Sequence, residues 1–302
     1  MSNDIRFDGK VAVVTGAGGG VGRAYALELA RRGAKLVVND LGGATDGTGA
    51  SDAAASQVAK EIEALGSEAV PNFDSVATFE GGKRILDTAL ERFGKCDILI
   101  ANAGILRDQS FAKLTQENLH AVLDVHLMGS FSTAQPAFQH MKQAGNGGKI
   151  ILTTSASGLF GNFGQANYTA AKMGIWGLMR TLSIEGVRTN IQVNCVAPAA
   201  RTRLTGGEED SGPNAPQSVA PLVVALCHDS CDITGETFMS GFNWYTRCFM
   251  AQAPGWVAPE NLEVSAEDVV AHWDEVRATE GFREVEHALV STDHLQQVRD
   301  KS

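Results

Sequence analysis

The chain has 302 residues, 44% of them hydrophobic and 20% charged, and a formal net charge of -10. That is enough apolar material to bury a sizeable core, so disorder over most of the length is excluded. The acidic balance speaks against nucleic acid and anionic membrane as partners, since binding either calls for a clustered basic face.

Met1 to Lys10 carries Asp4, Arg6, Asp8 and Lys10 in place of an apolar segment. No stretch approaches the ~20 apolar residues that cross a bilayer, so a soluble, cytoplasmic protein is expected. Short β-branched runs at 11–15, 35–39, 69–73, 97–101, 149–154, 191–196 and 237–240 are predicted as strands. Between them, 21–32, 52–65, 78–93, 116–142, 165–186 and 218–228 carry helical periodicity, with Gly33 and Gly66 as stop signals. This alternation predicts an α/β fold with a doubly wound parallel sheet, which binds ligands beyond the carboxyl ends of its strands.

Two stretches rich in Gly and acidic residues, 41–49 and 205–216, read as loops, the second placed where a substrate lid would close. Cys227, His228 and Cys231 lie close together, but no second ligand pair has zinc-like spacing, so no metal is expected. The five cysteines fit reduced thiols. Beyond Gly241 the sheet pattern stops. Residues 1–241 are therefore expected to form a Rossmann domain, and 242–302, with a helix near 264–277, an extension packed on it.

The run Thr15-Gly16-Ala17-Gly18-Gly19-Gly20-Val21-Gly22 joins the first strand to the first helix. Glycines there permit a tight turn and close approach to a pyrophosphate, whose charge the helix end attracts, and Gly16, Gly20, Val21 and Gly22 are the candidates. Asp40 ends the second strand eighteen residues after Gly22, close to the ~20 expected of an acid that binds the adenosine ribose. Its charge favours NAD over NADP; otherwise it is a strand cap. Asp74 and Ser75 after the third strand, and Asn102, Ala103 and Gly104 after the fourth, lie at the same sheet edge.

Tyr168 and Lys172 stand four residues apart and project from one helix face. A nearby ammonium is expected to lower the phenol pKa, fitting Tyr168 for proton transfer with an alcohol or ketone. Ser155, thirteen residues before Tyr168, ends the fifth strand and can steady charge on a substrate oxygen, with Ser157 as the alternative.

Taken together, TGxxxGxG at 15–22, Asn102-Ala103-Gly104, Ser155 and Tyr168-xxx-Lys172 resemble the short-chain dehydrogenase/reductase family over residues 8–241. The resemblance implies Ser155 as the family serine, Tyr168 as acid/base and Lys172 as a further ligand of the nicotinamide ribose. It also implies Asn194 and Pro198 along the nicotinamide. Where the family often has a helix asparagine, this chain has His126, which reads either as part of a water relay or as a satisfied core histidine.

Further words, among them Val38-Asn39-Asp40-Leu41-Gly42-Gly43 and Gly161-Asn162-Phe163-Gly164-Gln165, are similar to the (3R)-hydroxyacyl-CoA dehydrogenase unit of type 2 peroxisomal multifunctional enzymes. That similarity implies an acyl-CoA substrate, with a hydroxysteroid as the alternative and a non-catalytic dinucleotide binder as a third reading. Arg107, Arg201, Arg203 and Arg247 are candidate CoA contacts, and Leu159, Phe160, Phe163 and Trp244 a candidate apolar slot. The family resemblance implies a homodimer through 116–142 and 165–186, with Met173, Trp176 and Met179 as interface residues and a tetramer as a further option.

Overall fold

The computed structural model describes residues 5–205, 212–285, 287, 288 and 291. From the start run β1 (Val11–Thr15), α1 (Gly20–Arg31), β2 (Lys35–Asn39), α2 (Ala53–Ala64), β3 (Ala69–Asn72), α3 (Phe79–Phe93) and β4 (Ile98–Ala101). There follow α4 (Gln116–Leu123), α5 (Gly129–Ala144), β5 (Gly148–Thr153), α6 (Ala156–Phe160), α7 (Ala166–Gly186), β6 (Ile191–Pro198), α8 (Ala220–Cys227), β7 (Thr237–Gly241) and β8 (Trp244–Cys248). They build an eight-stranded sheet in the order β3-β2-β1-β4-β5-β6-β7-β8. From β3 through β7 every neighbour pairs in parallel.

The period of two in each strand divides the core between the sheet's two faces. Ala12 and Val14 of β1, with Ile98 and Ile100 of β4, pack under α1, α2 and α8. Val11 and Val13, with Leu99 and Ala101, pack under α3, α5 and α7. Because β2 and β4 flank β1 on opposite sides, the chain reverses its winding direction between β1 and β4. A crevice opens there at the carboxyl ends of the strands.

Three expectations need correction. The sheet does not stop at Gly241: Phe242 and Asn243, with φ of 55° and 57°, make a two-residue link into β8. Positive φ at both positions is the conformation of a type I′ hairpin turn, and neither residue is the glycine that usually announces it. The segment 116–142 is not a plain α-helix, because Asp124–Met128 forms a π-helical turn between α4 and α5. The carbonyl of His126 accepts there from Ser130 Oγ at 2.7 Å. The predicted helix 264–277 is broken at His272 (φ -106°, ψ 20°) into α9 (Ala266–Ala271) and α10 (Trp273–Arg277).

The chain divides into two compact units, Met1–Arg247 and Cys248–Ser302. The second contains α9, capped by Ser265 and Asp268, α10, and an antiparallel pair of β9 (Ala251–Gln252) with β10 (Arg283–Glu284). Of the loop expected at 205–216, residues 206–211 lie outside the described residues. Among the described residues no helix is long and apolar enough to cross a membrane.

Candidate active site

The crevice between β1 and β4 is a cleft of about 420 Å³. Gly16, Gly20, Val21, Asp40, Asp74, Ser75, Asn102, Ala103 and Gly104 all line it, so nine residues from four strand ends converge. Gly16 adopts φ +64°, and a Cβ on it would stand 2.8 Å from the Ala103 Cα, so the turn after β1 fits the turn after β4 only with glycine. Gly22 lies behind that turn, where a Cβ would meet the Gly16 carbonyl. Asn102 holds the two turns together. Its Nδ2 donates to the carbonyls of Thr15 and Gly16 at 3.1 and 3.2 Å, while the amides of Asn102 and Ala103 donate to Thr15 Oγ1. Asn102 therefore acts as a buttress of the glycine turn.

Asp40 is a cap that also lines the cleft. Its carboxylate accepts from the amides of Gly18 at 2.9 Å and Gly42 at 2.7 Å, which caps two loops, and it still faces the cleft with lone pairs to spare. Asp74 is shared more heavily, with Arg84 at 2.6 Å and Asn72 at 2.9 Å. Pro198 ends β6 and does not line the cleft; Thr202, Arg203 and Leu204 just beyond it do. By sequence Arg203 is a candidate CoA contact and Thr202 and Leu204 carry no signal, because a loop without periodicity brings them back over the glycine turn.

On the neighbouring strand, β5 delivers Ser155 as the N-cap of α6, its Oγ accepting from the Ser157 amide at 3.2 Å. One turn into α7 stands Tyr168, and one turn further Lys172, whose Nζ is 5.6 Å from the centre of the phenol ring. Lys172 is buried and donates to the Thr153 carbonyl at 2.6 Å. α6 and α7 approach closely at Gly158, where a Cβ would stand 2.6 Å from that of Lys172.

The electrostatics differ from the expectation of a depressed phenol pKa. Burial pushes Tyr168 up, more than the adjacent Ser155 side chain draws it down. Burial also takes Lys172 down to about 7, although Cys195 pulls it back somewhat. A lysine that is itself desolvated cannot supply a full fixed charge to its neighbour, so in the protein alone burial governs both groups.

His126, on the π-helical turn, is 2% exposed and meets the Tyr168 ring edge-on at 5.1 Å and 88°. Its Nε2 lies 3.0 Å from the Ile105 amide and 2.8 Å from the Ile105 carbonyl, while Nδ1 is buried with no protein partner. Burial first and Lys172 second hold its pKa well below the ordinary imidazole value, so the ring is neutral at pH 7. Gly104 is the residue that fits against it, since a Cβ there would collide with Cε1. His126 thus joins the loop after β4 to the face of Tyr168.

The candidate substrate contacts separate. Arg107 is committed to the protein, donating to the Asp46 carbonyl at 2.8 Å and pairing with Glu117 at 3.5 Å. Arg247 pairs with Glu236. Phe160 and Phe163, either core or slot by sequence, are 72% and 90% exposed on the segment leading to Tyr168. Met179 belongs to the protomer core at 0% exposure, which removes it from any interface, because its place on α7 faces the sheet.

Residues 10–211 match the family model for short chain dehydrogenases. The chain belongs to that family. It is an NAD(P)-dependent oxidoreductase acting on CH–OH groups. The peroxisomal multifunctional enzyme type 2 of Drosophila melanogaster is 47% identical over 277 residues, covering 90% of this chain and 46% of the enzyme. The full-length structure of that enzyme superposes with a TM-score of 0.81 at 37% identity, over 98% of this chain and 50% of the other. This chain therefore spans about half the length of the multifunctional enzyme. A short-chain type dehydrogenase/reductase of Mycobacterium tuberculosis is 45% identical over 280 residues, 91% of this chain and 96% of that one. A short chain dehydrogenase from Mycobacterium paratuberculosis, solved bound to NAD, has a TM-score of 0.72 at 26% identity over 78% of this chain and 97% of that one.

Proposed function

We propose that this dehydrogenase uses NAD to interconvert a (3R)-hydroxyacyl-CoA and its 3-keto ester. The observation that carries the reaction type is the phenol of Tyr168, with Ser155 on one side and Lys172 one helical turn away, next to a glycine-turned cleft. The acyl-CoA class rests on the likeness to the multifunctional enzymes. Bound NAD supplies the acceptor for the hydride that leaves the carbinol carbon.

In that chemistry the Tyr168 phenol donates its proton to the substrate oxygen during reduction, and its phenolate takes the alcohol proton during oxidation. Ser155 donates to the substrate oxygen, steadying the charge that develops on it. Lys172, held by the Thr153 carbonyl, positions the nicotinamide ribose and sits near its own midpoint at pH 7. Asp40 accepts from the adenosine ribose and repels a 2′-phosphate, which favours NAD over NADP. His126 acts as a positioning residue for Tyr168 and the loop 102–105.

A paired assay with NAD tests the substrate reading: a (3R)-hydroxyacyl-CoA against a 17β-hydroxysteroid. Preference for the thioester in kcat/KM is expected, and preference for the steroid reverses the assignment. We also propose a homodimer through α5 and α7, where Phe131 and Ile184 are exposed at 39% and 52%. A monomer by light scattering at micromolar concentration rejects it.

A further inference from the structure

Among the described residues that line the cleft, two are carboxylates, Asp40 and Asp74, and one is a cation, Arg203. Arg203 belongs to the segment that follows β6. That segment returns over the glycine turn, with Thr202 so near Gly20 that a Cβ there would be 3.3 Å from the threonine methyl. From this position the Arg203 guanidinium reaches the loop after β2 and donates through Nη2 to the Gly43 carbonyl at 3.3 Å. The Arg203 side chain thus ties the segment after β6 to the backbone of the loop after β2 by an exposed hydrogen bond.

We propose that Arg203 is a ligand of the dinucleotide diphosphate, and that it exchanges the Gly43 carbonyl for phosphate oxygens when the cofactor binds. The inference rests on the dinucleotide reading of the cleft. A diphosphate bridge brings about two negative charges, and the amino end of α1 offers roughly half a positive one. The Asp40 carboxylate adds repulsion, while that of Asp74 is offset by Arg84 at 2.6 Å, so the balance calls for a cation at the glycine turn. A guanidinium forms stronger, two-pronged contacts with phosphate oxygens than with a single neutral carbonyl, which gives the exchange its direction. Arg203 then closes the cleft behind the diphosphate, and its place is with the cofactor instead of the phosphates of CoA.

The test is NADH binding by fluorescence to the full chain and to its Arg203→Ala and Arg203→Lys variants, with ADP and adenosine as competitors. The alanine variant is expected to bind NADH and ADP about tenfold more weakly, a loss that salt reproduces in part in the wild type. Lysine should recover part of the loss, and adenosine, which has no phosphate, should compete equally in all three proteins. Equal adenosine affinity also reports an intact cleft. Unchanged NADH affinity in Arg203→Ala overturns the proposal, and a raised KM for acyl-CoA with unchanged NADH binding assigns Arg203 to the substrate. If the wild type binds no NADH, the dinucleotide reading fails, and this inference fails with it.

Discussion

Lys172 Nζ donates to the Thr153 carbonyl at 2.6 Å from a site that is 3% exposed. The ammonium is thus tied to the end of the strand that also delivers Ser155. Holding it there is costly, since burial lowers its pKa from 10.5 to about 7.

That shift has a sign. Between about pH 7 and 10.5 the unfolded chain keeps the proton on Lys172 and the folded chain releases it, so stability rises with pH across that window. Below it both states are protonated and the dependence vanishes. Lys172→Met, which keeps the length and removes the charge, should lose this slope. Melting temperatures of the two proteins from pH 7 to 10 check it: the wild type should gain on the variant as pH rises. Parallel curves would show that Lys172 keeps an ordinary pKa.

Gly104 and His126 should behave as a coupled pair. A methyl at 104 meets Cε1 of the imidazole, so Gly104→Ala should destabilise by ~1–3 kcal/mol as overpacking does. His126→Ala removes the obstacle, and in the double variant the cost should fall below the sum by ~0.5 kcal/mol or more. Additive denaturant midpoints would mean that the loop relaxes away from the ring.

Replacing Asp40 tests its two duties together. Asp40→Ala loses the ribose acceptor and the repulsion of a 2′-phosphate, and frees the amides of Gly18 and Gly42. NAD should bind more weakly and the NAD/NADP ratio of kcat/KM should fall, while absolute NADP affinity improves little because the turn is loosened. An unchanged ratio leaves Asp40 as a cap alone.

The sequence made much of this legible for identifiable reasons. β1 and β2 match their predicted runs end to end because both are short apolar segments that glycine and charged residues punctuate. The glycine turn, Asp40 and the Tyr168–Lys172 pair depend on local spacing, which a sequence displays directly. α6 escaped notice because five residues, Ala156–Phe160, are too few for a helical period. The π-helical turn around His126 leaves no mark in propensity. Thr202 and Arg203 reach the cleft through a loop whose path depends on the whole sheet. The upward shift of Tyr168 was invisible for a related reason: spacing reports who the neighbours are, whereas burial depends on everything packed around them.

Tyr168→Phe tests whether Tyr168 carries the proton in an NAD-linked oxidation. The ring and its edge contact with His126 are kept, and only the ionisable oxygen is lost. Turnover of the hydroxyacyl-CoA, followed as NADH formed, is the measurement, with NADH affinity determined on the same samples. A fall of at least ~10²–10⁴ in kcat is expected, with cofactor binding preserved. Turnover near the wild-type rate, with NADH still bound, would contradict it.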